Sequence, residues 1–452
     1  MPVPGTTLYA AVRIQRIANV AACRLLSIIV GATRVKIGIR RASALPTGRS
    51  AALVFTAACV AWSAPAIAAV DLSAGASVGY EHDTNPVELS SNEAYVFAPE
   101  GKSGLDDTSR VWGARVGAIL DGSGPLRFNV QALYSHTEST RFDRLGHDDY
   151  NVGGSLGWRA SRAIDVSLTA EQFRAPIPQS ESGGDRATQR TTHHYAGTLQ
   201  MRPTNRWQIS LSPSWNRVDL PLESAPDFVY REAGGNIALS YVGGRISPGL
   251  MVSESRSKNS GIGGATKYRQ QTIWGTLNYS VPNFSTLSLS VGRTERSTDV
   301  IEAASDPDLQ QTEGSDAGLS GSLGYQRTLS VKTSININGY RNFQQYDAGV
   351  NLSVNTGFSV SLTWSPTERM SFTLENNNSW STVDELPEEG VPATVAGKRK
   401  DLLRSYSLSM GYRFAKRISI GANVARRIRR SEVWTDQFNG TILGLSLSAE
   451  LD

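Results

Sequence analysis

Residues 351–380 contain two runs of strict alternation between apolar and polar side chains, separated by one short polar turn. The first run places apolar side chains at every second position except Thr356, at Leu352, Val354, Phe358, Val360, Leu362 and Trp364, and the second repeats the pattern at Met370, Phe372 and Leu374. Successive side chains of a β-strand point to opposite faces, so the pattern predicts a hairpin with one apolar and one polar face. A soluble sheet with one dry face shows the same alternation, so this hairpin alone leaves its environment open.

The connections between such segments indicate the architecture. From Val70 onward the alternating segments form nine hairpins in which every second connection is short. This rhythm is typical of up-and-down barrels, whereas Greek-key sandwiches mix their connection lengths. The sequence therefore predicts an all-β fold, a transmembrane antiparallel up-and-down β-barrel of about 18 strands. A count of 16 is the alternative, because residues 228–256 and 340–350 alternate poorly.

Strand length and aromatic placement favour a membrane environment. The alternating runs are about 10 residues long, which is the length that a tilted strand needs to cross hydrocarbon. Aromatic side chains gather near the short turns, where rings with a polar edge suit a lipid–water boundary; they are Trp158, Trp207, Tyr241, Tyr279, Tyr325, Trp364, Tyr412 and Phe414. Every backbone group must be hydrogen-bonded internally in lipid, so such a sheet has to close.

Residues 1–69 have the character of a targeting segment. They hold eight of the 45 Lys and Arg residues, none of the 41 Asp and Glu residues, and both cysteines, Cys23 and Cys59. An apolar run at residues 51–61 and a small-residue stretch that ends at Ala69 predict an extended signal segment, cleaved after Ala68 or Ala69. The predicted domains are thus a targeting segment at 1–69 and a barrel at 70–452.

Charge and cysteine content restrict the chemistry of the barrel. Without the leading segment the chain carries 37 basic against 41 acidic side chains, a net charge of −4, so the basic pI of the whole chain gives no support to a nucleic-acid partner. The barrel has no cysteine for a disulfide or a thiolate metal site. We expect no metal and no cofactor.

Small and polar residues alternate with the apolar ones and are predicted to line the interior. Barrels of 16 to 18 strands enclose a water-filled lumen, so these residues line a pore unless the loops fold inward and plug it. The predicted lining residues are Asn129, Gln131, Gln200, Gln208, Asn336, Asn338, Asn355, Glu375, Asn377 and Arg413.

Charged residues concentrate at the ends of strands and in the long loops. Acidic side chains dominate residues 83–108 and 297–313. They form a mouth that attracts cations if these loops lie over the entrance, and otherwise they are solvated loop residues without a specific role. One basic cluster, at the outer end of the penultimate strand, is a candidate contact for lipopolysaccharide phosphates or an acidic glycan, or a plain solvated strand end; it consists of Arg426, Arg427, Arg429 and Arg430. The histidines lie near strand ends or in loops, and His147 is followed directly by two acids, Asp148 and Asp149.

The first strand and its exit, residues 78–86 with the sequence VGYEHDTNP, resemble the opening of the beta-barrel porin-2 family and of barrels associated with exopolysaccharide export. More broadly, residues 70–452 resemble proteobacterial outer-membrane barrels of porin type. The resemblance implies a channel for polysaccharide or its fragments and export components as partners. Such barrels commonly end on an aromatic residue that the insertion machinery reads, whereas this chain ends at Leu451 and Asp452.

The function predicted from these observations is a non-enzymatic channel in the Gram-negative outer membrane, which passes small polar solutes or is coupled to exopolysaccharide export. Its expected surroundings are outer-membrane lipid, lipopolysaccharide and the barrel-insertion machinery. One alternative is a structural or adhesive barrel with a plugged lumen and loops that bind a partner. Another is a hydrolase with its site in the outer loops, for which His147 is the candidate catalytic side chain.

Overall fold

The computed structural model describes residues 70–88, 105–121, 124–177, 188–221, 228–261, 264–282, 284–302, 314–345, 352–384, 398–432 and 437–451. These residues hold 18 strands: β1 Val70–Asp83, β2 Asp107–Asp121, β3 Leu126–Ser139, β4 His147–Ser161, β5 Ile164–Pro176, β6 Gln189–Thr204, β7 Trp207–Leu220, β8 Phe228–Tyr241, β9 Ile246–Gly261, β10 Gly264–Val281, β11 Ser285–Glu302, β12 Gly314–Ser330, β13 Thr333–Gln345, β14 Leu352–Thr367, β15 Met370–Asp384, β16 Lys398–Ala415, β17 Ile418–Ser431 and β18 Phe438–Leu451. Their single short helix is a 3-10 helix at Asp143–Leu145, and none of them forms a helix with the length and hydrophobicity of a membrane span.

The sheet is closed. Each strand is antiparallel to its neighbours along the chain, and β1 pairs with both β2 and β18. The closing ladder runs from the pair Ala74–Leu451 to the pair Asp83–Ile442 without a register shift. The prediction of an 18-stranded up-and-down barrel is confirmed, and the alternative count of 16 is wrong.

The two faces of the sheet have opposite character, and burial identifies the interior. Buried polar side chains share one face across neighbouring strands, among them Asn259, Thr266, Thr272, Thr294 and Ser320. The large apolar side chains of the other face are exposed, as at Leu250, Ile273 and Leu323. A closed sheet shields its inner face, so the polar face is the interior and the apolar face is the exterior.

The turns at one end of the barrel are short. The longest are the four-residue connections between β2 and β3 and between β8 and β9. At the other end most connections are longer, up to the stretch between Asp83 and Asp107. We call this end the outer end. β9 continues as strand to Gly261 and β10 begins already at Gly264, so only two residues connect these strands at the outer end. Both faces of β9 carry polar side chains here, so the hydrogen-bonded ladder extends beyond the residues in which apolar and polar side chains alternate.

Candidate functional site

The pairing register places all ten predicted lining residues on the interior face. Asn129 and Gln131 lie opposite Ile119 and Gly117, and Gln200 lies opposite Ser210. The others occupy the same face: Gln208, Asn336, Asn338, Asn355, Glu375, Asn377 and Arg413. That these residues line an open, water-filled pore stays a prediction.

Hydroxyl and amide groups dominate the inner wall along β13 and β14. The inward positions from Ser334 to Asn342 and from Asn355 to Thr363 carry no ionisable group except the phenol of Tyr340. Neighbouring strands link such groups laterally: Thr272 and Thr294 hydroxyl oxygens are 3.0 Å apart, and Thr294 and Ser320 are 2.7 Å apart. The inner wall along β13 and β14 therefore presents an uncharged surface of hydrogen-bonding groups.

Two aromatic side chains lie against this wall, each over a glycine of the next strand. A methyl group added at Gly357 would meet the ring of Tyr340 at 2.7 Å, and one added at Gly292 would meet the ring of Trp274 at 2.9 Å. The sequence analysis missed both rings, because they are aromatic residues at inward positions, where small or polar residues were expected. Parity counted from Ile273 and from Ile337 would have placed them inside.

A charged cluster lies inside the outer mouth, where β17, β18 and β1 meet. The Arg427 guanidinium donates to Asp83 Oδ2 at 3.0 Å and to Glu88 Oε1 at 2.9 Å. The two carboxylate side chains are only 10% and 7% exposed, whereas the Arg427 side chain is 33% exposed. We call this arrangement the Arg427 clamp.

The clamp holds the beginning of the first loop, residues 84–88, which we call the first-loop segment. Its backbone follows the edge of β18: Thr84 N–H donates to Thr441 O at 3.0 Å, and Thr441 N–H donates to Thr84 Oγ1 at 2.8 Å. Within the segment Glu88 N–H donates to Asn85 O at 3.2 Å, and Glu88 has a positive φ of 52°. Asn85, Val87 and Glu88 are buried.

The structure divides the predicted basic cluster between the two faces of β17. Arg427 and Arg429 face inward, and Arg429 donates to the buried Asp401 Oδ2 at 2.9 Å. Arg426 and Arg430 face outward and are exposed. Only this outward pair is placed for the predicted contact with lipopolysaccharide or an acidic glycan, which stays a prediction. Of the acidic loops, residues 89–104 and 303–313 lie outside the described residues.

The exterior carries aromatic side chains at two levels. The predicted lower level lies beside the short turns and includes the edge-to-face pair Trp207–Tyr241, with ring centroids 5.5 Å apart. The sequence analysis missed an upper level, with tilted pairs at Trp112–Tyr134, Tyr195–Trp215 and Phe358–Trp380 whose centroids are 5.4, 5.4 and 5.8 Å apart. The signal that would have found it is a second aromatic residue about eight positions along the same strand.

The two histidines beside Asp148 and Asp149 contact carboxylate and carbonyl oxygens. His147 Nδ1 lies 2.7 Å from Leu145 O, and its Nε2 lies 3.4 Å from Asp149 Oδ2. His136 Nδ1 and the Tyr134 hydroxyl both contact Asp148 Oδ1 at 2.7 Å, on the exterior face. None of these hydrogen bonds joins a histidine to a serine hydroxyl, so the arrangement provides no pre-positioned serine nucleophile.

The sequence matches no protein-family model and no curated protein. Solved structures of similar fold include Pseudomonas aeruginosa OccK9, at 13% identity and a TM-score of 0.46, with 84% of this chain and 98% of that chain covered. The ferric-catecholate import receptor Fiu from E. coli K12 shows 9% identity and a TM-score of 0.46, with 84% and 81% covered. The copper transporter OprC shows 10% identity and a TM-score of 0.45; the match covers 81% of this chain and only 63% of the length of OprC.

Proposed function

We propose that this chain is a channel in the outer membrane of a Gram-negative cell, exported with residues 1–69 as its signal segment, that passes polar solutes. The observation that carries the proposal is the pair of aromatic levels on the exterior. Trp207 and Trp215 face outward on one strand and are eight residues apart. At about 3.4 Å per residue and a tilt of about 40° they are separated by about 21 Å in height. This spacing fits the apolar band of outer-membrane barrels, which is about 25 Å tall between its two aromatic girdles.

The side chains between the two levels support the membrane placement. On β10 and β11 the outward positions of this zone hold Leu277, Ile273, Leu289 and Val291, all exposed. In water these exposed side chains would form a large apolar patch, whereas in lipid they form the required contact surface. The interior at the same height is polar, so the wall separates hydrocarbon from a hydrophilic space.

Within this channel we propose sugar polymers or their fragments as the solute, with export components as partners. Two features of the inner wall support the choice. Its hydroxyl and amide groups along β13 and β14 suit hydrogen bonding to uncharged polyols, and the rings of Tyr340 on β13 and Trp274 on β10 offer flat apolar surfaces on the same inner face. The resemblance of residues 78–86 to exopolysaccharide-associated barrels points in the same direction.

A second candidate is a barrel whose lumen is closed by its own loops, with the outer loops as the binding surface for a partner. The Arg427 clamp favours this candidate, because it fixes the first-loop segment inside the mouth with two nearly buried carboxylates. The two candidates differ in whether ions pass through the purified protein.

Conductance in planar bilayers tests the proposal, and two adjacent asparagines of β15 provide a matched pair of variants. Asn377 faces inward opposite Ser359, whereas Asn376 faces outward opposite Val360. We expect stable conductance steps from the wild-type protein and greater cation preference in Asn377→Asp, because a lumenal carboxylate attracts cations. Asn376→Asp should leave the ion preference unchanged. Absence of conductance at any voltage would favour the closed barrel instead.

A further inference from the structure

The exterior of β8–β11 carries a dense basic surface directly above the apolar zone. The outward positions of two successive rungs of the sheet hold five exposed basic side chains. These residues, together with Arg293, which lies two rungs below Arg269 and opposite Ile273, are called the basic surface: Arg231, Arg256, Lys258, Lys267, Arg269 and Arg293.

Like charges are direct cross-strand neighbours in both rungs. Arg256 lies opposite Arg269, and Lys258 lies opposite both Lys267 and Arg231. Like charges at directly opposed positions destabilise a sheet, so this arrangement requires compensation. Acidic neighbours supply only part of it: Glu254 Oε1 accepts hydrogen bonds from Arg256 Nε at 2.9 Å and from Arg269 Nε at 3.2 Å.

Among the described outward side chains of β8–β11, the other carboxylates are Glu295 and Asp299. The six basic residues therefore face three carboxylates, and a net charge of +3 remains. An anionic partner with several phosphates would satisfy both the excess charge and the lateral spacing of the basic side chains.

The height of the basic surface selects the partner. Arg269 is ten residues above Tyr279, which faces outward at the lower aromatic level. That distance corresponds to about 26 Å of height at a tilt of about 40°, the thickness of the apolar band. The side chains of this rung thus extend from the wall at the depth of the lipid headgroups in the outer leaflet.

We propose that the basic surface of β8–β11 binds the phosphate groups of a phosphorylated glycolipid of the lipid A type. The inference rests on the outer-membrane location proposed above but not on conduction. The exposed apolar side chains below the surface, such as Ile273 and Val252, then contact the acyl chains of the same lipid. The proposed site is therefore a protein–lipid contact with two zones: a charged zone for the phosphates and an apolar zone for the acyl chains.

Binding of purified diphosphorylated lipid A to the full protein in detergent tests the proposal. The variant Arg256→Gln/Lys258→Gln/Arg269→Gln should weaken binding about a hundredfold, since each basic residue near an anionic surface contributes a factor of about five. The matched control, Arg110→Gln/Arg174→Gln, removes outward arginines of β2 and β5 that have no basic cross-strand neighbour. It should change binding less than twofold. Glu254→Gln should tighten binding, because it removes the carboxylate that competes with phosphate.

Three results would overturn the proposal. The first is a triple variant that binds lipid A within a factor of two of the wild type while it keeps the electrophoretic mobility of the folded barrel. The second is an equal loss per charge in the control, which shows attraction by net charge without a site. The third is equal competition by inorganic phosphate or by dephosphorylated lipid A. A protein that conducts but does not bind lipid A refutes the basic surface alone, and one that binds but does not conduct refutes the channel alone.

Discussion

Replacement of Arg427 by Gln should release the first-loop segment from the barrel wall. The substitution keeps a polar side chain on the inner face but removes the charge that pairs with Asp83 and Glu88. Loss of one partner from a buried ion pair costs about 3–5 kcal/mol, because the remaining charge stays desolvated. The Arg427 side chain is one-third exposed, so we expect about 2–3 kcal/mol at this site after discount for solvent screening.

This loss acts on the local opening equilibrium of the first-loop segment. A change of about 2.8 kcal/mol corresponds to about a hundredfold change in the open-to-closed ratio. Two amides report that equilibrium, Thr84 N–H, which donates to Thr441 O, and Glu88 N–H, which donates to Asn85 O. In hydrogen–deuterium exchange on the detergent-solubilised protein, both should exchange about a hundredfold faster in Arg427→Gln than in the wild type.

The neighbouring residue on the same strand provides the control. Arg426 faces outward and donates to Asn439 Oδ1 at 3.3 Å, so Arg426→Gln changes the net charge equally without contact with the clamp. Arg426→Gln should leave both amides at their wild-type exchange rates. Arg427→Lys should give an intermediate rate, because lysine keeps the charge but not the bidentate geometry of the guanidinium group. Equal exchange at Thr84 and Glu88 in Arg427→Gln and the wild type would refute the reasoning.

Three further predictions concern the wall of the barrel. Ala76 and Ala449 are opposed in the closing ladder, so cysteines at these two positions should form a disulfide on oxidation. The oxidised protein should keep its folded mobility in SDS at temperatures that unfold the reduced form. Absence of the cross-link would contradict closure between β1 and β18. Trp207→Ala should lower the free energy of unfolding in lipid vesicles by about 1 kcal/mol through loss of its aromatic pair, as measured by urea titration. Gly357→Ala should displace the ring of Tyr340, which a methyl group would meet at 2.7 Å, and should also press on the backbone at Asn378 O, 2.9 Å away. We expect a changed single-channel conductance, and an unchanged conductance in the folded variant would remove Tyr340 from the pore lining.

The sequence predicted the strands well only between the two aromatic levels. There one face is apolar and the other polar, so the alternation is strict, as in the run from Phe358 to Trp364. Above the upper level both faces are polar, and the ladder continues through residues that show no alternation. For this reason β9 reaches Gly261 although its apolar residues end at Val252, and β16 begins at Lys398, four residues before its first apolar residue, Leu402.

The positions of the candidate site residues could be predicted in part. Parity carried forward from Ile420 and Val424, both outward on β17, assigns Arg427 to the interior. Its partners could not be found in this way, because Arg427 and Asp83 are 344 residues apart in sequence. Their contact depends on which strands meet when the barrel closes, and the alternation within a strand contains no information about that.

Closure of the barrel and placement of the first-loop segment are therefore coupled. The clamp arginine is on β17, the backbone partner Thr441 is on β18, and the segment itself continues β1. The clamp joins β17 to β1 across β18, so its two ion pairs require that the last strand has paired with the first. The segment is thus a continuation of the closing ladder and not an independent lid, and any change that weakens the β1–β18 pairing must also loosen the Arg427 clamp.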